Sequence, residues 1–196
     1  MDITRNRESI KLSPRRYDTT GIPTRYFNPG ELEAFLHLVE EVQPAVMVEF
    51  GVNNGRNPLA VLRNIASVQI YIGVDVPPGY EFAMPVQKNE VPTCPGELVL
   101  DDPRFILLLR KRGTFEMKAA EFPEADVVFI DADHSKEGVL NDRRLAQGIL
   151  RPGGRIIYHD DNCLPVVEVT QTLNALCLEG AKITHVADTW LAYEDV

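Results

Sequence analysis

The stretch Val46-Met47-Val48-Glu49-Phe50-Gly51-Val52-Asn53-Asn54-Gly55 decides how the rest of the chain is read. Its apolar run does not alternate with polar residues, which marks a strand buried on both faces. The run stops at an acid and a glycine, a second glycine follows, and helical residues begin near Asn57. Strand, tight turn and helix in that order form one unit of a parallel sheet. Gly51 lets the backbone turn sharply and leaves room for a ligand to approach. The first N–H groups of the helix have no partner within it and can meet an acceptor. In a doubly wound sheet, ligands bind outside the carboxyl ends of strands, where this turn lies.

Working outward, similar apolar runs predict strands over 45–50, 69–74, 105–109, 127–130 and 155–158. Helical spacing predicts helices over 57–66, 135–150 and 166–178, with a short one near 114–120. Ahead of the first strand, Asn28 is a candidate cap, Pro29 suits a first helical position, and Glu31 occupies the place of a capping-box acid. Leu32, Phe35, Leu36, Val39 and Val42 then follow helical spacing until Pro44 ends the run. The tail, 181–194, is expected to add one or two strands, as a closing strand or hairpin. The expectation is an α/β fold: a doubly wound, mostly parallel, Rossmann-like sheet in a single domain over 1–196. Residues 1–27 read as an N-terminal arm or lid. Residues 76–98 hold five prolines and no helical period, and read as an irregular insertion loop. Both are expected to form the acceptor side of a pocket.

Composition narrows the partners. The chain has 196 residues and a formal charge of −9, which disfavours nucleic acid. Arg5, Arg7, Lys11, Arg15, Arg16 and Arg25 do cluster near the start, and they read as a solvated arm. Cys94, Cys163 and Cys177 show no metal-type spacing and read as free thiols. Neither a signal-peptide core nor a membrane-length apolar run is present. The expectations are a cytoplasmic protein, no membrane partner, a small-molecule substrate, and an oligomeric state left open.

A dinucleotide site would want G-x-G-x-x-G, and here Asn53 and Arg56 occupy the second and third glycine positions. Without the second glycine a pyrophosphate cannot approach the backbone, which argues against NAD or FAD. The spacing Glu49-x-Gly51-x-x-x-Gly55 instead resembles the E/D-x-G-x-x-x-G motif of class I S-adenosylmethionine-dependent methyltransferases. Asp75 closes the second strand, 24 residues after Gly51, and an acid there can accept both ribose hydroxyls of an adenosyl group.

Two later strands also end in acids. One reads Phe129-Ile130-Asp131-Ala132-Asp133-His134-Ser135, the other Tyr158-His159-Asp160-Asp161-Asn162. Carboxylates gathered on one sheet edge repel one another unless a cation or donor compensates. Oxygen donors suit Mg²⁺ first, with Mn²⁺ or Ca²⁺ next. The plainer reading has Asp133 and Ser135 capping the next helix while the second set faces water.

The stretch FIDADHSKEGVLNDRRLAQGILRPGGRIIYHDD resembles the second half of the macrocin-type small-molecule O-methyltransferases. It is similar, more distantly, to the metal-dependent catechol and caffeoyl-CoA O-methyltransferases. The resemblance covers about residues 45–162. It implies methyl transfer from S-adenosylmethionine to a small acceptor, expected to be a hydroxyl. It implies a cofactor held by Glu49, Gly51, Asn53, Gly55, Asp75 and Asp131, with Thr114 and Phe115 flanking the adenine. It also implies Mg²⁺ on Asp131, Asp160 and Asp161, the last standing where that family has Asn. His134 takes the position of the family's lysine base, and a histidine can serve there near neutral pH. Asp131 and His134 are thus the candidate catalytic pair. Two other readings stay open: a haloacid-dehalogenase-like phosphohydrolase built on Asp131-Ala132-Asp133, with Mg²⁺ on Asp160 and Asp161, and a non-catalytic methyltransferase-like binding subunit.

Overall fold

The computed structural model describes residues 7–13, 15–25, 27–163 and 167–196. Its strands are β1 (Ser9–Ile10), β2 (Val46–Phe50), β3 (Ile70–Asp75), β4 (Phe105–Leu109), β5 (Ala125–Ile130), β6 (Leu150–Tyr158), β7 (Thr184–Val186) and β8 (Ala192–Asp195). The helices are α1 (Glu31–Val42), α2 (Arg56–Asn64), α3 (Lys136–Ile149) and α4 (Val169–Leu178). One sheet runs in the order β1-β7-β8-β6-β5-β2-β3-β4. From β4 to β6 every pairing is parallel, and β8 runs antiparallel to both β6 and β7. The fold is α/β, and the tail closes the sheet as a hairpin.

Strand alternation sorts the core into two layers. Met47, Tyr71, Val127, Phe129 and Ile157 pack with Phe35, Leu36 and Val39 of α1 and Ala60 and Val61 of α2. Val48, Phe50, Val128, Ile130 and Ile156 pack on the other face with Val139 and Leu145 of α3 and Leu173 of α4. With both faces covered, every residue of β5 is buried, and this is why its sequence carries no alternation. The β2 and β5 ladder stays in register up to Phe50 opposite Ile130, so Gly51 and Asp131 leave the sheet side by side.

Several boundaries differ from the sequence reading. α1 begins at Glu31 behind Gly30, whose φ of 81° is left-handed, and no side chain caps it. Asn28 and Pro29 therefore stay outside the helix. Glu31 turns inward instead, with the Asn28 amide donating to its Oε2 at 3.0 Å. The short helix expected near 114–120 is two 3-10 turns, Gly113–Glu116 and Ala119–Glu121. β6 starts at Leu150 rather than Arg155, and its register against β5 shifts between Ala125 and Val127. The extra residues around Pro152 and Gly153 bulge outward there. Val166, the expected start of α4, and Arg5 of the basic cluster lie outside the described residues.

The arm is not a free lid along its described length. Ser9 and Ile10 extend the sheet beside β7. Arg15 and Tyr17 both hydrogen-bond Glu40, which ties the arm to α1. Between β3 and β4 the chain makes one 3-10 turn, Pro85–Gln87, and no α-helix. Among the described residues no helix is long and apolar enough to cross a membrane.

Candidate active site

A cleft of about 430 Å³ opens where β2, β3, β5 and β6 end. Gly51, Asn53, Asp75, Thr114, Phe115, Asp131, His134 and Asp160 all line it. Three of the expected residues do not: Glu49, Gly55 and Asp161 are absent from its wall.

The glycine turn is built around a close approach. Gly51 has a φ of 87°, and a Cβ there would stand 2.0 Å from the Asp131 carbonyl oxygen. The glycine is required by the neighbouring strand's backbone, where the sequence reading had left room for a ligand. Asp75 braces the same turn. Its Oδ2 accepts the N–H groups of Val52 (2.9 Å) and Asn53 (2.8 Å), and its Oδ1 accepts that of Val76 (2.7 Å). Burial raises its carboxyl, and the three N–H groups oppose that rise. Asn53 adopts a left-handed φ of 51° and donates its amide to the Glu90 carbonyl (2.8 Å), pinning the insertion loop to the turn. Gly55 is the N-cap of α2, and its space is limited by Gly96 and Val99 of that loop.

Glu49 points into the layer under α2, as its place in the strand alternation requires. It is fully buried and accepts from the Asn57 amide (2.7 Å) and the Tyr71 hydroxyl (3.0 Å). Burial pushes its carboxyl up to about 8, against the pull of those two donors. It supports the turn from beneath and is out of reach of a ligand in the cleft. Thr114 donates its hydroxyl to Asp142 of α3, a fully buried acid that burial raises to about 7. That bond fixes the Thr114–Phe115 edge. Phe115 also carries the Arg112 guanidinium 5.5 Å above its ring.

Asp131, His134, His159 and Asp160 form a charged cluster on the cleft wall. His134 Nε2 lies 3.0 Å from Asp160 Oδ2 and 3.4 Å from Asp131 Oδ1. His159 Nδ1 lies 3.2 Å from Asp131 Oδ1 and 3.6 Å from Asp160 Oδ2. Burial works against the charged form of each, and mutual pairing overrides it. His134 is raised to about 10, His159 is raised well above its ordinary value, Asp131 is lowered and Asp160 is lowered further. This corrects the expectation for His134: so paired, it keeps a proton at neutral pH and is not a ready base. It also supplies compensation for the acids that the sequence did not reveal.

Asp161 corrects the expected metal set. It follows Asp160, whose φ of 58° turns the chain, and its carboxylate leaves the cleft. It is fully buried, 2.5 Å from Arg7 Nη2 and 2.9 Å from His185 Nδ1. Asp131, Asp160 and Asp161 thus assemble no three-acid site. The capping reading holds for the first set: Ser135 Oγ accepts the Gly138 N–H (3.1 Å) and Asp133 accepts the Ser135 N–H (2.9 Å).

Three residues of the site were not singled out from sequence. Glu31 is fully buried, 3.0 Å from His159 Nε2, and accepts the Trp190 N–H at 2.5 Å. His159 itself stood only as a neighbour of the acids. Gln87 clamps the insertion loop to the Asp131–His134 turn, donating to the Ala132 carbonyl (2.7 Å) and accepting the His134 N–H (3.2 Å). From the same loop Tyr80, Phe82, Val86 and Val91 line the cleft, whereas none of the arm's described residues does.

Comparison with known proteins bears on the family and the fold. A family model described as a methyltransferase domain matches residues 48–160, more than half of the chain. Cofactor-bound Rv0187 from MTB superimposes with a TM-score of 0.62 at 16% identity, covering 91% of this chain and 85% of that one. A putative O-methyltransferase from Klebsiella pneumoniae gives 0.56 at 21% identity, covering 90% and 84%. An O-methyltransferase from Bacillus cereus in complex with SAH gives 0.53 at 15%, covering 89% and 84%. At these identities the likeness speaks to the fold. A search of curated proteins finds no significant match.

Proposed function

The chain belongs to the methyltransferase domain family, and from that premise we propose that it transfers a methyl group from S-adenosylmethionine to a hydroxyl of a small-molecule acceptor. The observation that carries the reading is one cleft shared by the Asp75-braced Gly51–Asn53 turn and the carboxylate–imidazole cluster. The cofactor, when bound, supplies an electrophilic methyl group. Asp75 Oδ1 has a single backbone donor against two on Oδ2, which leaves it capacity for a ribose hydroxyl. Thr114 and Phe115 offer the edge for the adenine.

The apolar wall from Tyr80 to Val91 excludes water and takes the acceptor's body. With His134 held protonated by Asp131 and Asp160, the acceptor's hydroxyl proton passes to a carboxylate oxygen of Asp131 or Asp160, the unprotonated members of the cluster on the cleft wall. No step is assigned to Mg²⁺, because Asp161 is committed to Arg7 and His185 and the three expected ligands do not converge. The phosphohydrolase reading is set aside by the family match.

Calorimetry with S-adenosylhomocysteine, followed by mass-spectrometric detection of methyl transfer to a panel of phenols and sugars, tests the proposal. Binding with a 14-dalton gain on at least one hydroxyl compound is expected. A folded protein that does not bind S-adenosylhomocysteine would overturn it. Binding without turnover across chemically broad acceptors would favour the non-catalytic subunit.

A further inference from the structure

We propose that β4 is the seam of a homodimer, in which the strand pairs antiparallel with β4 of a second copy of this chain and joins the two sheets into one.

The two edges of the sheet are built differently. At one edge stands β1, two residues long and supplied by the N-terminal arm. At the other stands β4, five residues long, with β3 as its one strand partner among the described residues. The Arg104 carbonyl accepts the Tyr71 N–H (2.8 Å), and the Arg110 N–H donates to the Asp75 carbonyl (2.9 Å). Bonding residues alternate along a parallel ladder, so Leu107 and Leu109 turn their N–H and C=O groups away from β3.

An open edge is normally blunted by a charge, a proline, a bulge or a covering element. Phe105-Ile106-Leu107-Leu108-Leu109 carries no charge and no proline, and its pairing with β3 is in register throughout. Between β3 and β4 no α-helix forms to lie over the strand, and Tyr80, Phe82, Val86 and Val91 of that connection line the cleft instead. Ile106 is 46% exposed, Leu109 39%, and Leu100 just ahead of the strand 48%. Such a strand is a template for another strand.

Charge selects the occupant and its direction. Asp101 and Asp102 precede the strand, and Arg110, Lys111 and Arg112 follow it. A second copy laid antiparallel about a two-fold axis near Ile106 brings the acidic end of each strand to the basic end of the other. A parallel copy would set like charges together. Asp102 already pairs with Arg104 (2.7 Å), and Arg110 lies 3.7 Å from Glu121. Asp101 and Lys111, equidistant in sequence from Ile106, are both exposed, and among the described residues neither side chain has an ion pair or hydrogen bond. Two-fold symmetry makes every contact twice, so this pair forms at both ends of the seam. Asp101, Ile106 and Lys111 take no part in the proposed methyl transfer, and the pairing stands or falls apart from that reading.

Sedimentation equilibrium of the full chain is the test. Twice the mass of one chain is expected, and a wild-type chain that stays monomeric at about 100 μM overturns the proposal. Ile106→Lys puts a charge at the centre of the seam and should raise the dimer Kd at least about 100-fold, with thermal unfolding reporting a folded chain. A dimer as tight as wild type in that folded variant places the interface elsewhere and overturns the seam. Lys111→Glu and Asp101→Lys, both at exposed positions, should each weaken the dimer about 10-fold as like charges meet. The double variant should regain the wild-type Kd, since the pair is restored with its charges exchanged. Single variants without effect, or a double variant no tighter than the singles, overturn the antiparallel pairing.

Discussion

At the carboxyl edge of the sheet, acids of two kinds stand within a few residues of each other. Asp75, Asp131 and Asp160 face the cleft, braced by backbone N–H groups or by histidines that also reach the cleft. Glu49 and Asp161 are sealed, each with its partners closed around it. Asp160 and Asp161 are neighbours in the chain, yet one belongs to each kind. The left-handed φ at Asp160 separates them by turning the backbone between the two side chains. An acid at a strand end is thus a candidate for chemistry only when its partners leave it open, and sequence proximity carries no information about that.

The sharpest way to break the comparison is to neutralise its two adjacent members. Asp160→Asn should lower kcat by about 10²- to 10⁴-fold, the range over which positioned proton-transfer groups act. Asp161→Asn should leave S-adenosylhomocysteine affinity unchanged and cost about 3–5 kcal/mol of stability, because it leaves the Arg7 charge buried without its carboxylate. Urea denaturation reads the second and a methyl-transfer assay the first. If Asp161→Asn loses turnover while keeping its stability, the division between open and sealed acids fails.

A smaller effect is expected at Asp75, which shares features of both kinds. Asp75→Ala removes a ribose acceptor and unbraces the Val52 and Asn53 N–H groups. Loss of about 2–3 kcal/mol, or about 30- to 150-fold in Kd for S-adenosylhomocysteine, is expected by calorimetry. Unchanged affinity in the folded variant would reduce Asp75 to a structural brace.

The mildest effect concerns Glu49 and is a matter of pH. Unfolded, its carboxyl releases a proton near 4.5; folded, burial holds it until about 8. Between those values the folded state binds more protons, so stability from this group is present below about 4.5 and is lost as pH rises to about 8. Glu49→Gln keeps an acceptor for Asn57 and offers a donor to the Tyr71 oxygen. It should flatten that slope and raise Tm at pH 8 by a few degrees, on the order of 1 kcal/mol for a domain of this size. Parallel Tm–pH curves for the two proteins would show that Glu49 is not held protonated.

Much of the scaffold was legible because it follows from local rules. Phe105–Leu109 matches its strand, α3 lies within its predicted range behind a Ser135 cap, and the glycine turn falls where an unbroken apolar run meets Gly51. The first helix shows the limit. Asn28, Pro29 and Glu31 satisfy a capping pattern, yet Glu31 is drawn inward because a buried histidine, 128 residues away in sequence, needs a carboxylate. Gln87 had no local signal, since nothing in a proline-rich loop distinguishes the one side chain that reaches the Ala132 carbonyl.

The sequence by itself determined the βα alternation and the strand ends at which the acids gather. These depend on periodicity, on glycine's freedom and on spacing along one chain. Only the tertiary structure decided which acids see the cleft, that His159 and Glu31 join them, and that Asp161 pairs with Arg7. Those outcomes depend on side-chain direction at a backbone turn and on partners brought from distant elements. In a buried cluster every charge must find such a partner, so the assignment is settled by packing in three dimensions.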